Sequence, residues 1–192
     1  ANYSANATAS TTANITARSL NVTATGANKV YDGTTDATVT LSDNRVAGDT
    51  LTISYTTATF ASKAVGTAKG IGASGISVSG VDAGNYTFGN PATATANITP
   101  RALTVSAAGV NKVYDGTTNA TVTLADNRLA GDILSISYTS ASFASKNVGN
   151  AKTVSVSGIA ISGADAGNYS ANSAVSTTAN ITARALCVTA TP

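Results

Sequence analysis

The chain has little of what enzymes ordinarily use for chemistry. Among its 192 residues there is no His, Met, Trp or Glu, and charged residues make up only 10% and aromatic residues 5%. Because His is the usual general base near neutral pH and the commonest metal ligand, its absence argues against catalysis and against a metal centre. The only cysteine, Cys187, has no partner for an internal disulfide. The sequence holds no nucleophile–base pair and no phosphate loop, so we expect neither an enzyme nor a cofactor.

The charge pattern excludes another class of function. The net charge is +2, and the eleven basic residues are spread along the chain instead of forming one cluster. A nucleic-acid-binding surface needs clustered Lys and Arg, so we expect no nucleic-acid partner. No stretch is long and apolar enough to span a membrane.

What the chain does have is a repeat of 83 residues. The segment Lys-Val-Tyr-Asp-Gly-Thr-Thr at 29–35 returns at 112–118, and Asp-Ala-Gly-Asn-Tyr at 82–86 returns at 165–169. The triplet Asn-Ile-Thr occurs three times at the same spacing, beginning at Asn14, Asn97 and Asn180. Tandem copies without a diversified loop favour a spacer or stalk over a protein with one active site.

Short strands are predicted by the alternation of apolar and small polar residues. In the first copy the predicted strands are Leu20–Ala24, Ala37–Leu41, Leu51–Thr59, Ala68–Ile71, Gly75–Val81, Asn85–Phe88 and Thr93–Ile98. Asp-Gly and similar turn signals separate them, and all acidic residues are Asp, which favours turns. Strands with a turn every 8–12 residues are typical of a sandwich or barrel. We therefore predict an all-β chain of tandem immunoglobulin-like β-sandwich repeats; the alternative is a β-grasp-like or other mostly-β repeat.

The period also predicts the domain boundaries. Residues 1–16 correspond to the last strands of a preceding repeat, residues 17–99 to repeat 1, residues 100–182 to repeat 2, and residues 183–192 to the first strand of a following repeat. The two repeats join at Pro100 without a linker, so we expect a short rod with restricted bending.

One motif, Asp-x-Gly-x-Tyr, resembles the tyrosine corner of immunoglobulin-like domains. In such a corner a Tyr hydroxyl bonds back to nearby backbone and an Asp shapes the preceding turn. We expect a structural role for its six residues: Asp82, Gly84, Tyr86, Asp165, Gly167 and Tyr169.

A second motif, Tyr-Asp-Gly, predicts a tight turn, because Gly tolerates positive φ and Asp bonds its own backbone. Its residues are Tyr31, Asp32, Gly33, Tyr114, Asp115 and Gly116. We expect each Tyr to pack at an end of the core with its hydroxyl at the surface. The alternative is that these rings stack on a sugar.

Together these motifs give the chain a specific resemblance. Lys-Val-Tyr-Asp-Gly-Thr-Thr, then Gly-Asp before a strand, then Ala-Gly-Asn-Tyr, then Ile-Thr-Pro-Arg-Ala-Leu-Thr-Val resembles the YDG repeats of large bacterial surface proteins. Those proteins resemble filamentous haemagglutinins and related adhesins, many of them exported by two-partner secretion. The resemblance covers essentially the whole chain and implies an extracellular, cell-surface, tandem-repeat adhesin segment. It assigns no binding residue.

Two weaker interpretations concern charged residues. Four aspartates near turns could supply oxygens to Ca²⁺: Asp43, Asp49, Asp126 and Asp132. The loops lack the alternating Asp/Asn pattern of a dedicated calcium site, and Arg45 and Arg128 lie within them, so turn chemistry is the default. Lys63 is close to Phe60 and Val65, which leaves a Lys–Asn crosslink open, but a solvated lysine is the expectation.

The leading functional hypothesis is a stalk or fibre segment of an extracellular bacterial adhesin. Its expected partners are neighbouring repeats, identical chains, and host or environmental glycans. The segments Ala1–Thr16 and Leu186–Ala190 carry strands without the rest of their repeat, so end-to-end filaments by strand addition are expected. The alternative is a carbohydrate- or ice-binding module, motivated by Thr38, Thr40, Thr93 and Thr95.

Overall fold

The computed structural model describes residues 2–5, 8–89 and 92–189. Within these ranges every regular element is a strand, apart from two single-turn 3₁₀ helices at Ala83–Asn85 and Ala166–Asn168. No helix in the described ranges has the length and hydropathy needed to cross a bilayer. The prediction of an all-β chain built from two tandem copies is therefore confirmed.

Ten strands lie in the described part of the first sequence repeat. They are β1 (Arg18–Leu20), β2 (Val22–Gly26), β3 (Lys29–Val30), β4 (Val39–Asp43), β5 (Thr52–Ser54), β6 (Thr57–Phe60), β7 (Gly66–Ser74), β8 (Ser77–Ser79), β9 (Tyr86–Phe88) and β10 (Ala92–Thr99).

The second sequence repeat has ten corresponding strands. They are β11 (Arg101–Leu103), β12 (Val105–Gly109), β13 (Lys112–Val113), β14 (Val122–Asp126), β15 (Ser135–Ser137), β16 (Ser140–Phe143), β17 (Gly149–Ser157), β18 (Ala160–Ser162), β19 (Tyr169–Ala171) and β20 (Ala174–Thr182).

The strands of both repeats pair in the same way. One four-stranded sheet has the order β3-β10-β7-β6, and its counterpart has the order β13-β20-β17-β16. Two-stranded ladders join β2 to β4, β5 to β8, β12 to β14 and β15 to β18, all antiparallel. Four pairings are parallel: β1 with β9, β3 with β10, β11 with β19 and β13 with β20.

Two of the predicted strands are each divided in two. The predicted Leu20–Ala24 is interrupted at Asn21, whose amide donates to the side-chain oxygen of Asn44 at 2.8 Å instead of joining a ladder. β1 then pairs with β9, and β2 pairs with β4. The predicted Leu51–Thr59 is interrupted in the same way, because β5 pairs with β8 while β6 pairs with β7. Alternation of apolar residues continues through the break at Asn21 and so could not indicate it, whereas after Tyr55 the apolar positions change phase to Ala58 and Phe60.

The core is built from the apolar face of the short strands. In the first repeat Leu20, Leu51 and Tyr86 form a buried cluster. Their counterparts Leu103, Leu134 and Tyr169 are also buried, with 2%, 8% and 6% of their surface exposed. Burying a side chain of this size contributes about 1.5–3 kcal/mol, so a few such residues supply much of the stability of each repeat.

The chain folds into two compact units whose limits differ from the sequence repeats. The first unit comprises residues 1–27, 36–61 and 70–96, and the second comprises 28–35, 62–69 and 97–192. Two segments of the first repeat, 28–35 with β3 and 62–69 with the start of β7, are thus part of the second unit. The residues that place them there are described below.

The segments outside the sheets lack the strands expected of them. Residues 8–17 and 183–189 contain no strand, while Ala1 and Ala190, the outer limits of the predicted segments, lie outside the described residues. β11, the counterpart of residues 184–186, obtains its ladder bonds from β19. No described strand pairs with residues 184–186 in this way. Residues 186–189 therefore do not form the predicted strand in this structure.

Candidate interaction face at Asp132

The Tyr-Asp-Gly turns are held together by a lysine. In the second copy, Asp115 Oδ1 accepts hydrogen bonds from the Lys112 ammonium at 2.8 Å and from the Thr117 amide at 2.9 Å. The Thr117 hydroxyl donates to the same oxygen. Gly116 has φ +78°, a left-handed conformation that glycine adopts without strain. The first copy repeats this arrangement, including φ +81° at the glycine, with Lys29, Asp32, Gly33 and Thr34.

These bonds stabilise the ionised carboxylate. The Lys112 ammonium, followed by the Thr117 amide and hydroxyl, lowers the pKa of Asp115 to about 2. At Asp32 burial acts in the opposite direction, but the bonds from Lys29 and Thr34 outweigh it and lower the pKa. The motif is thus a charged structural turn whose donors already occupy the carboxylate.

The lowered pKa predicts that acid weakens the second unit. A group with a depressed folded-state pKa contributes stability above its unfolded pKa, and this is lost as pH falls through the folded pKa. For Asp115 the window runs from the ordinary value of 3.8 down to about 2. We expect the stability difference between wild type and Asp115→Asn, measured by urea denaturation at stepwise pH, to shrink across this window. A difference that stays constant from pH 7 to pH 2 would contradict the assignment.

The Asp-x-Gly-x-Tyr motif works over a longer distance than a tyrosine corner. The Tyr169 hydroxyl accepts the Leu129 amide proton at 3.0 Å and donates to Asp132 Oδ2 at 2.5 Å. Its backbone partner is 40 positions upstream, rather than a few. Asp165 Oδ2 accepts the Ile133 amide proton at 2.9 Å, so the motif fastens the 126–133 loop to the turn before β19.

The first repeat has the same arrangement. The Tyr86 hydroxyl accepts from the Val46 amide at 2.9 Å and donates to Asp49 Oδ2 at 2.5 Å, and Asp82 accepts from the Thr50 amide at 2.8 Å. The two glycines of the motif, Gly84 and Gly167, lie in the 3₁₀ turns with open space beside them. The tyrosine and aspartate therefore carry the contacts of the motif.

Removing either hydroxyl should measure its contribution. Tyr86→Phe and Tyr169→Phe each remove the hydroxyl that a loop amide and an aspartate share, which should lower the free energy of unfolding by about 1–3 kcal/mol. Thermal and urea denaturation followed by circular dichroism would measure this. Unchanged melting temperatures in both variants would show that water replaces the hydroxyl at no cost.

The other two calcium candidates are bonded to arginine. Asp43 accepts from Arg45 Nε at 2.9 Å, and Arg45 Nη1 donates to the Leu51 carbonyl at 2.6 Å. Asp126 and Arg128 repeat the pair. The arginine hydrogen bonds outweigh burial and lower the pKa of both aspartates. Together with Asp49 and Asp132, which accept from tyrosine, all four candidates bond to protein donors.

The second unit gathers a further group of residues at Asp132. Tyr31, from the loop 28–35, is 1% exposed and donates its hydroxyl to both oxygens of Asp132, at 3.0 and 3.1 Å. Its ring meets the Tyr169 ring edge to face, with 5.5 Å between centroids. Such pairs contribute about 0.5–1.5 kcal/mol beyond the area they bury. Asp132 is therefore the common acceptor of two buried tyrosines.

The loop 62–69 adds a charge and a backbone bond to this group. The Lys63 ammonium lies 3.5 Å from Asp132 Oδ1 and 6.0 Å from the centre of the Tyr31 ring. The Val65 amide donates to the side-chain oxygen of Asn168 at 3.0 Å. We call Leu129, Asp132, Asn168 and Tyr169 the Asp132 face, and Tyr31, Lys63 and Val65 its occupants.

The electrostatics of the Asp132 face favour a carboxylate anion surrounded by neutral and cationic donors. Burial would raise the pKa of Asp132, but the bonds from Tyr169 and Tyr31 and the charge of Lys63 lower it. Burial and the bond to Asp132 raise the pKa of Tyr31, which keeps its hydroxyl protonated as a donor. The neighbouring Tyr31, followed by the Asp132 carboxylate, raises the pKa of Lys63. Each group is held in the protonation state that the contact needs.

Sequence reasoning placed these residues in other roles. The sequence predicts a surface hydroxyl for Tyr31 and a solvated ammonium for Lys63. For Asp132 it predicts only a local role in a turn. Tyr31 and Asp132 are 101 positions apart, and no local pattern links them. The sequence signal for a contact between the repeats is their short joint, because Pro100 joins the last strand of repeat 1 directly to the first strand of repeat 2.

Comparison with known families identifies both copies. The family described as the YDG domain matches residues 16–96 and again residues 99–179. Searches for similar curated proteins and for similar solved structures found no match. The two family matches cover most of the chain and confirm the resemblance to YDG repeats. The chain therefore belongs to the YDG domain family and carries two copies of the domain in tandem.

Proposed function

We propose that the chain is a structural stalk or fibre segment of an extracellular bacterial adhesin, in which tandem YDG repeats space or present a binding region. The observation that carries the proposal is the Asp132 face. Its occupants come from the first repeat, yet they belong to the second unit, where Tyr31 is buried and the Val65 amide is bonded to Asn168. A spacer needs consecutive repeats that are fastened to each other, and this contact supplies such a fastening.

The backbone at the joint supports the same function. β10 ends at Thr99 and β11 begins at Arg101, so Pro100 alone separates two hydrogen-bonded strands. Ile98 and Leu103, on either side, are 1% and 2% exposed. A segment that is paired and buried up to the joint has little freedom to act as a flexible linker.

We also propose an immunoglobulin-like sandwich for each repeat. The tyrosine motif precedes the penultimate strand, where that fold places it, and each repeat has a four-stranded sheet beside shorter antiparallel ladders. The parallel pairs, such as β1 with β9, are not part of a purely antiparallel sandwich and are the feature that favours the β-grasp-like alternative. An experimental structure of one repeat distinguishes the two by its sheet order.

Cell-surface location is tested directly with antibodies against the purified chain. Applied to intact and to permeabilised cells that produce the protein, they should label both equally. Labelling that requires permeabilisation would overturn the proposal of a surface stalk.

A glycan array tests the binding alternative. Thr38, Thr40, Thr93 and Thr95 are exposed, as a sugar-binding surface requires. A stalk predicts no specific signal from the isolated chain. A reproducible signal that is lost in a Thr93→Val, Thr95→Val variant would favour the carbohydrate-binding alternative.

A further inference from the structure

The first unit contains a copy of the Asp132 face. Subtracting the period of 83 from Leu129, Asp132, Asn168 and Tyr169 gives Val46, Asp49, Asn85 and Tyr86, which we call the Asp49 face. Three of the four residues are identical, and the Tyr86–Asp49 and Tyr86–Val46 bonds repeat those of the second unit. The same chemistry is therefore present twice.

The Asp49 face is open where the Asp132 face is filled. Asn168 is 7% exposed because the Val65 amide and its neighbours cover it, whereas Asn85 is exposed. Val46 is 45% exposed, while its counterpart Leu129 is half-buried. Within the described residues Asp49 accepts a side-chain hydrogen bond from Tyr86 alone, where Asp132 accepts from two tyrosines and a lysine.

A concavity marks the place that the occupants would fill. It has a volume of about 280 Å³ and is lined by Val46, Asp49, Asn85 and Tyr86, together with residues 15–18 and Gly84. A carboxylate, an amide and an aromatic ring thus converge on one open space. In the second unit the same three groups bind a tyrosine hydroxyl, a backbone amide and a tyrosine ring.

The matching occupants belong to the second repeat. Adding the period to Tyr31, Lys63 and Val65 gives Tyr114, Lys146 and Val148, which we call the Tyr114 end. Val148 is 53% exposed, Lys146 is exposed, and Tyr114 is half-buried, in contrast to the 1% exposure of Tyr31. A concavity of about 410 Å³, lined by Tyr114, Val148 and Leu186 among others, lies at this end.

We propose that the Asp49 face binds the Tyr114 end of a second copy of this chain, head to tail. The Tyr114 hydroxyl donates to Asp49, the Lys146 ammonium pairs with the same carboxylate, and the Val148 amide donates to Asn85. The inference rests on the proposed function and deepens it by naming the partner and the surface. Because the two surfaces differ, the contact is heterologous, so each bound copy still presents one free surface to a further copy.

Two peripheral segments line the two surfaces and have to move aside. Residues 15–18 border the Asp49 face, and Ala183, Arg184 and Leu186 border the Tyr114 end. Ile15 and Leu186 are 101% and 86% exposed, and no strand forms over residues 8–17 or 183–189. Displacing residues 8–17 and 183–189 therefore breaks no sheet ladder. The single anchor tyrosine and one ion pair make a small interface, for which weak, concentration-dependent association is expected.

The test is the mass of the full chain in solution. Sedimentation velocity from about 10 μM to about 1 mM, the range in which small interfaces associate, should show an average mass that rises steadily with concentration. Val148→Asp brings a carboxylate to the Asn85 contact, in the concavity that Asp49 also lines, and should hold the chain at monomer mass. Thr40→Asp is the matched control: it adds the same charge at an exposed residue of β4 that lines neither concavity.

A second pair of variants separates face docking from strand addition. Deleting residues 1–14 should leave the association intact, because none of them lines the concavity at the Asp49 face. Tyr114→Ala should abolish association without affecting the Asp132 face. A monomeric wild type, an unaffected Val148→Asp variant, or loss of association on deleting 1–14 would each overturn the proposal. Since surface labelling of cells does not depend on self-association, failure here is distinguishable from failure of the proposed function.

Discussion

Replacing Asp132 with alanine should lower the free energy of unfolding of the second unit by about 3 kcal/mol. Asp132 is the shared acceptor of the Tyr31 and Tyr169 hydroxyls, and its side chain is only 4% exposed. Removing it leaves two buried hydroxyls without an acceptor, and each such loss costs about 1–3 kcal/mol. Lys63 adds little to this sum, because its side chain is 46% exposed and water can solvate it.

The first repeat supplies the matched control. Asp49→Ala removes the same carboxylate from the same loop, but the carboxylate has one tyrosine partner, Tyr86, among the described contacts. The expected loss is about 1–2 kcal/mol. Urea denaturation followed by circular dichroism measures both variants. Equal losses at the two positions would show that Tyr31 contributes nothing to the Asp132 face.

Gly163→Ala should be at least as damaging, with an expected loss of about 3 kcal/mol or more from backbone strain and overpacking. Gly163 has φ +115°, a conformation that side chains other than glycine's rarely adopt. A Cβ there would also lie 2.6 Å from the Ile133 carbonyl oxygen, which is backbone and cannot rotate away. The two effects act together at the loop that carries Asp132.

Gly167→Ala is the control for this prediction. Gly167 lies four residues after Gly163, in the Asp-x-Gly-x-Tyr motif. Its φ is not positive, and nothing lies within 4 Å of a Cβ built on it. Its replacement should change stability little, or raise it by about 0.4–1 kcal/mol by restricting the unfolded chain. Similar destabilisation by both substitutions would mean that the strain at Gly163 is relieved elsewhere.

The all-β class and the tandem arrangement could be read from the sequence because both depend on local or periodic signals. Alternation of apolar and polar residues places one face of a strand in the core, and the burial of Ala141 and Phe143 on β16 follows that pattern. Because the chain repeats every 83 residues, a strand predicted in one copy is also predicted at the equivalent residues of the other copy. The same signals could not indicate that strands break at Asn21, because that break depends on a side chain 23 positions away.

The candidate site was less accessible to sequence reasoning. The motifs single out Tyr31 and Tyr169 as structural residues, but they assign their partner Asp132 and Lys63 to other roles. The contacts that unite them span between 37 and 103 positions. Such long-range contacts depend on how the chain is arranged at the joint between the two repeats. Patterns of neighbouring residues in a single sequence do not indicate this arrangement.

A double-mutant cycle between Tyr31 and Asp132 tests most directly whether residues of the first repeat are built into the second unit. Tyr31→Phe, Asp132→Ala and the double variant, compared with wild type by urea denaturation, should give a coupling energy of about 1–2 kcal/mol. The cycle of Tyr114→Phe with Asp132→Ala is the control and should give no coupling, because Tyr114 has no described contact with Asp132. Zero coupling between Tyr31 and Asp132, or equal coupling in both cycles, would contradict the account.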